Sequence, residues 1–94
     1  MSVPTVETVI RAPLWRDDLP GLYARVCSLL AKNRGALIVC DVAGVASDAV
    51  AIEALARLQL GARRHGCSVR LRDASPELVE LAAFMGLEEF LAAV

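Results

Sequence analysis

Residues 36–41 read Ala36-Leu37-Ile38-Val39-Cys40-Asp41, and this stretch decides the fold. Five consecutive apolar residues end at a carboxylate, and Gly44 marks a turn shortly after. Residues 36–40 therefore predict a strand covered on both faces, as in parallel sheets whose crossovers are helices. The flanking chain supplies such helices. Upstream, Asp17 and Asp18 precede Leu19, Leu22, Val26, Leu29 and Leu30, an apolar stripe at helical spacing. Pro20 is tolerated because it falls in the first turn, Lys32 suits the helix end, and Asn33 and Gly35 supply the stop. Downstream, Ser47 is a good N-cap with Asp48 just inside a helix over about 48–64. Ala51, Leu55, Leu58 and Ala62 form its buried stripe. Glu53 and Arg57 stand four apart on the other side, where they can pair. Arg63, Arg64 and His65 crowd the end of this helix, with His65 read as a capping residue, and Gly66 closes it.

Working further outward, residues 5–10 (TVETVI) are β-branched with some alternation and predict a first strand. Pro13 breaks regularity after it. Residues 67–72 (CSVRLR) alternate apolar and polar, which predicts a strand with one wet face near a sheet edge. Ser75-Pro76-Glu77 is an N-cap, a proline at the first helical position and an acid in the first turn. Leu78, Leu81, Ala82 and Met85 are the core stripe of that third helix. Gly86 ends it, Leu87 makes the closing contact, and residues 88–91 read as one more short turn. The expected architecture is a single α/β domain over 1–94, in the order β-α-β-α-β-α, with a mostly parallel sheet of three or four strands. Residues 1–16 are a strand and an irregular lead-in.

Composition narrows the function classes. Hydrophobic residues make up 56% and charged residues 22%, which excludes a disordered chain. Ten basic and eleven acidic residues give a net charge of −1, without the basic excess of a nucleic-acid binder. No apolar run approaches the roughly 18–20 residues of a membrane span. The start, Met1-Ser2-Val3-Pro4, does not resemble a signal peptide. A soluble cytoplasmic protein is the expectation. Cys27, Cys40 and Cys67 are odd in number and form no C-x-x-C pair, so all three are read as small buried hydrophobes.

Catalytic chemistry is sparse. His65 has no second histidine for a metal site or a Ser-His dyad, and no glycine-rich phosphate loop occurs. Asp41 and Asp48 lie near the carboxyl end of the second strand, where open α/β sheets bind ligands. Two carboxylates could hold Mg²⁺ only with further oxygen ligands, which the chain does not supply. The reading is a non-enzyme with no cofactor and no metal.

Three segments together resemble the STAS domain: Asp41-Val42-Ala43-Gly44-Val45; Asp48-Ala49-Val50-Ala51-Ile52-Glu53-Ala54-Leu55; and Met85-Gly86-Leu87-Glu88-Glu89-Phe90, with a basic helix end and Gly66 between the last two. That family includes bacterial anti-sigma-factor antagonists and the cytoplasmic tails of sulfate transporters. The resemblance is firmest over 36–91. The family's regulatory serine, two positions after the motif aspartate, falls on Val50, and the serine before it falls on Ala49. In members that switch, a partner kinase phosphorylates that serine, placing about −1.5 to −2 charges at a helix N-terminus. Val50 has no hydroxyl to accept phosphate. Ser47 is the nearest hydroxyl, an N-cap first and a displaced phosphosite second.

The resemblance implies a protein-binding module whose partner is an anti-sigma factor of the serine-kinase type. The implied docking surface is Ser47, Asp48, Val50, Glu53 and Arg57, with Val50 either on an apolar patch rimmed by acids or turned into the core. The alternative is an accessory subunit of an ABC-type lipid transporter, packed on its ATPase. Neither role involves nucleic acid or membrane insertion. The apolar excess of so small a chain also leaves room for a homodimer.

Overall fold

A computed structural model describes residues 4–87. Its elements follow the expected order: β1 (Thr5–Val9), a 3-10 turn (Arg16–Asp18), α1 (Leu19–Lys32), β2 (Leu37–Asp41), α2 (Ala49–Arg64), β3 (Ser68–Arg72) and α3 (Pro76–Phe84). The three strands form one parallel sheet in the order β1-β2-β3, so β2 is central and β3 is an edge. The class is α/β, as the sequence predicts.

Register and burial show where the core sits. Ile38 and Cys40 are fully buried and join the core cluster with Ile10 and Val69, while Val6 and Leu71 pack against it. These are alternate strand positions, hence one face of the sheet. The residues between them lie on the other face: Glu7, Val39 and Arg70 stand in register across it. Val39 is buried, yet it belongs to no shared cluster with the helices. The expectation that β2 is covered on both faces is met, since Val39 on the outer face is buried as well. Two right-handed crossovers that step in the same direction put α1 and α2 on the same side.

The helices are built by their stripes and ends. Leu19, Leu22, Val26 and Leu30 are the buried line of α1. The Asp18 carboxylate accepts from the Trp15 N–H (3.0 Å), which closes the 3-10 turn ahead of the helix. At the other end, Asn33 Nδ2 donates to the Leu29 carbonyl (2.8 Å). In α2 the predicted Ala51, Leu55, Leu58 and Ala62 are all buried, together with Ala54. The N-cap of α2 is Asp48, not Ser47: its backbone is extended and its Oδ1 accepts from the Ala51 N–H (2.9 Å), while Ser47 stays exposed one residue outside. His65 caps the C-terminus, its Nδ1 donating to the Gly61 carbonyl at 2.9 Å.

In α3, Ser75 Oγ accepts from the Leu78 N–H (3.1 Å), and Leu78 and Ala82 are buried. Met85 departs from the predicted stripe. It is the C-cap, where the helical phase ends, and it is 54% exposed. Leu81 is half-buried. Leu87 closes the core instead, with its N–H donating to the Ala82 carbonyl (2.9 Å). The turn expected at 88–91 lies outside the described residues. Cysteine burial also splits: Cys40 and Cys67 are buried, but Cys27 is exposed, one position past Val26 and so off the buried stripe. Cys67 Sγ donates to the Asn33 carbonyl (3.2 Å), tying the start of β3 to the end of α1.

Contact between α1 and α2 depends on Gly61. A Cβ there would stand 3.2 Å from Leu30 Cδ1, so the absence of a side chain lets the helices approach. Leu30 is fully buried at this crossing. Leu30→Ala is expected to cost about 2–5 kcal/mol, the range for truncating a buried leucine. Urea denaturation checks this as a lower midpoint with an unchanged slope.

Candidate functional site

The carboxyl ends of the strands carry the loops of interest. After β2, Asp41 Oδ1 accepts from the Ala43 N–H (3.0 Å), which starts a turn at once. The Val45 N–H donates to the Val42 carbonyl (3.0 Å), and Gly44 sits between them at φ +77°. A turn with positive φ at its third residue is type II and favours glycine there. Val42 and Val45 are buried and pin the loop, leaving 46–49 exposed. The lead-in after β1 packs on the same loop, since a Cβ on Gly44 would meet Ala12 Cβ at 3.4 Å.

The five residues expected at the docking surface do lie along this loop and the first turns of α2, but they differ in environment. Ser47, Asp48, Glu53 and Arg57 are exposed. Val50 is half-buried and packs against the core cluster. The carboxylate of Asp48 is engaged by the helix it caps. Glu53 does not pair with Arg57. Arg16 of the 3-10 turn reaches it instead, its Nη1 3.1 Å from both carboxylate oxygens. Arg57 lies over the Tyr23 ring of α1, 5.4 Å from the centroid. The helix thus presents Glu53 and Arg57 to α1 and the lead-in, not to each other.

Two residues that sequence reasoning missed meet α2 here, Arg16 and Tyr23, and Trp15 precedes Arg16 in the chain. Trp15 is 65% exposed beside Arg16. The Arg16–Glu53 contact spans 37 positions, beyond any local periodicity. An isolated tryptophan in a charged lead-in was the one available signal. An exposed ion pair contributes about 0.2–1 kcal/mol, and an exposed cation–π contact about 0.5–1 kcal/mol. These contacts set position more than stability. Trp, Arg and Tyr are the residue types enriched in protein-interface hot spots.

A second charged group lies on the outer sheet face. The guanidinium of Arg72 on β3 donates to Glu7 on β1 and, at 3.3 Å, to Asp41 Oδ2 on β2, so one side chain ties all three strands. The Ala43 N–H, and after it Arg72, hold the Asp41 carboxyl below the usual carboxylate range. Asp41 and Asp48 are each held by their own donors, and no three His, Cys, Asp or Glu converge as metal ligands among the described residues. No helix among them is long and apolar enough to cross a membrane.

Two outcomes follow for the loop. A carboxyl lowered in the fold stabilises above its unfolded value of about 3.9 and loses that contribution as pH falls through the lower folded value. The stability gap between wild type and Asp41→Asn should therefore be widest at neutral pH and close below about pH 4, as read from denaturation midpoints across that range. Gly44→Ala should cost about 1–2 kcal/mol, and Gly44→Asn less, since asparagine tolerates the left-handed region. Comparison with protein-family models, curated proteins and solved structures gives no match for this chain.

Proposed function

We propose that this chain is a non-catalytic protein-docking module, which binds its partner through the start of α2 and the lead-in clamped beside it. The observation that carries this reading is the exposed Arg16–Glu53 pair together with the Arg57–Tyr23 contact, which bring the lead-in and α1 beside the first turns of α2, with Trp15 exposed next to Arg16 in the chain. Read with the STAS resemblance, the partner is an anti-sigma factor of the serine-kinase type, sequestered so that a sigma factor is released. The switch position carries Val50, which cannot accept phosphate. Docking there is independent of phosphorylation at that residue.

One feature favours the second reading, an accessory subunit packed on a transporter ATPase. Constitutive interfaces are more apolar, and α3 exposes Phe84 (87%) with Val79 and Met85 nearby in sequence.

Affinity capture of the tagged protein from its native lysate, with and without ATP, separates the two. Recovery of a kinase-type anti-sigma factor supports the first, and recovery of a transporter ATPase with its permease overturns it for the second. Val50→Asp loads fold and binding together, because Val50 packs on the core. Trp15→Ala and Arg57→Ala are cleaner. Each should keep a near-wild-type Tm and lower partner affinity by about tenfold or more, the loss of a hot-spot side chain.

A further inference from the structure

Between α1 and α2 lies a cavity of about 130 Å³. Buried Leu22, Val26, Leu30 and Leu58 give it an apolar floor, and Arg57 and Arg64 of α2 also line it. Among the described residues neither guanidinium is paired with a carboxylate. Tyr23 lines the same cavity, and its hydroxyl oxygen is shielded from solvent with no hydrogen-bond partner. A buried polar atom left unpaired is rare in folded proteins and asks for an explanation. Burial first, and then the neighbouring Glu53, pushes the Tyr23 hydroxyl pKa up, so it remains a neutral O–H donor.

Size and charge together select the ligand class. Apolar cavities of about 150 Å³ take up benzene, so the space here suits a single ring or a short alkyl chain. Inorganic phosphate would meet the arginines but leave the floor empty. An uncharged ring would fill the floor but leave the arginines and the hydroxyl unused. We propose that the α1–α2 cavity binds a small carboxylate bearing one aromatic ring or a short alkyl chain. The apolar part lies on the leucine floor, and the carboxylate faces Arg57 and Arg64 and accepts from the Tyr23 hydroxyl once the side chains that shield it shift on binding. This site requires no protein partner, although it shares Arg57 and Tyr23 with the docking surface.

The test is a titration of the intact chain with benzoate, benzyl alcohol and inorganic phosphate, followed by amide NMR shifts. Benzoate should give saturable shifts on α1 and α2 with millimolar affinity, at least about tenfold tighter than benzyl alcohol, while phosphate gives no saturable shift there. Tyr23→Phe keeps the ring and removes only the unpartnered hydroxyl. It should leave Tm unchanged or raised, because no group is left unpaired behind it, and weaken benzoate about fivefold or more. Arg64→Ala should weaken benzoate without lowering Tm. Equal affinity for benzoate and benzyl alcohol, absence of saturable shifts on the two helices, or undiminished benzoate binding by Tyr23→Phe would overturn the proposal.

Discussion

Burial of β2 between its two neighbours is the constraint on which the rest of the structure depends. Ile38 and Cys40 are fully buried, and their face of the sheet receives side chains from α1, α2 and α3 in one cluster. Because strand side chains alternate, a slip of one residue would exchange these with Val39 and put the wrong set under the helices. The register that pairs Val39 with Glu7 and Arg70 is therefore fixed by hydrophobic burial. Arg72 then ties all three strands on the outer face, with Asp41 and Glu7 as its partners.

From that frame the candidate surface follows. β2 ends at Asp41, whose carboxylate turns the chain, and the turn delivers Asp48 to cap α2. The axis of α2 is set by its close approach to Leu30 at Gly61. Glu53 and Arg57 then point toward the lead-in and α1, where Arg16 and Tyr23 meet them. Strong burial places the elements, and weak polar contacts choose which side chains stand together. Arg57 borders both the docking surface and the α1–α2 cavity, so an occupant of one alters the electrostatics of the other.

Much of the fold was legible because its signals are local. The apolar run at 36–40, the stripe from Leu19 to Leu30, the stripe from Ala51 to Ala62 and the Ser75-Pro76 start each depend on a few adjacent residues. Misreadings fell where one residue of phase matters. Ser47 and Asp48 are both good caps, and only the backbone decides between them. Cys27 is apolar by composition yet lies one step off the stripe. The outer face of β2 was legible as covered, and Val39 is buried there, but an apolar run does not say what covers it. Of the candidate site, the residues on α2 were named through the resemblance. Trp15, Arg16 and Tyr23 were not, because contacts across tens of residues leave no periodic trace.

The placement of β2 can be tested directly through the two cysteines that the fold treats most differently. Cys40 is fully buried and burial pushes its thiol up to about 12, whereas Cys27 is exposed on α1. Thiolate is the reactive form, so an alkylating reagent should modify Cys27 in the native protein while Cys40 waits for unfolding. The most direct measurement is residue-resolved alkylation kinetics in native buffer and in increasing urea. The structure predicts fast labelling of Cys27 without denaturant and labelling of Cys40 that tracks global unfolding. Comparable rates at both cysteines in native buffer would contradict a central, buried β2.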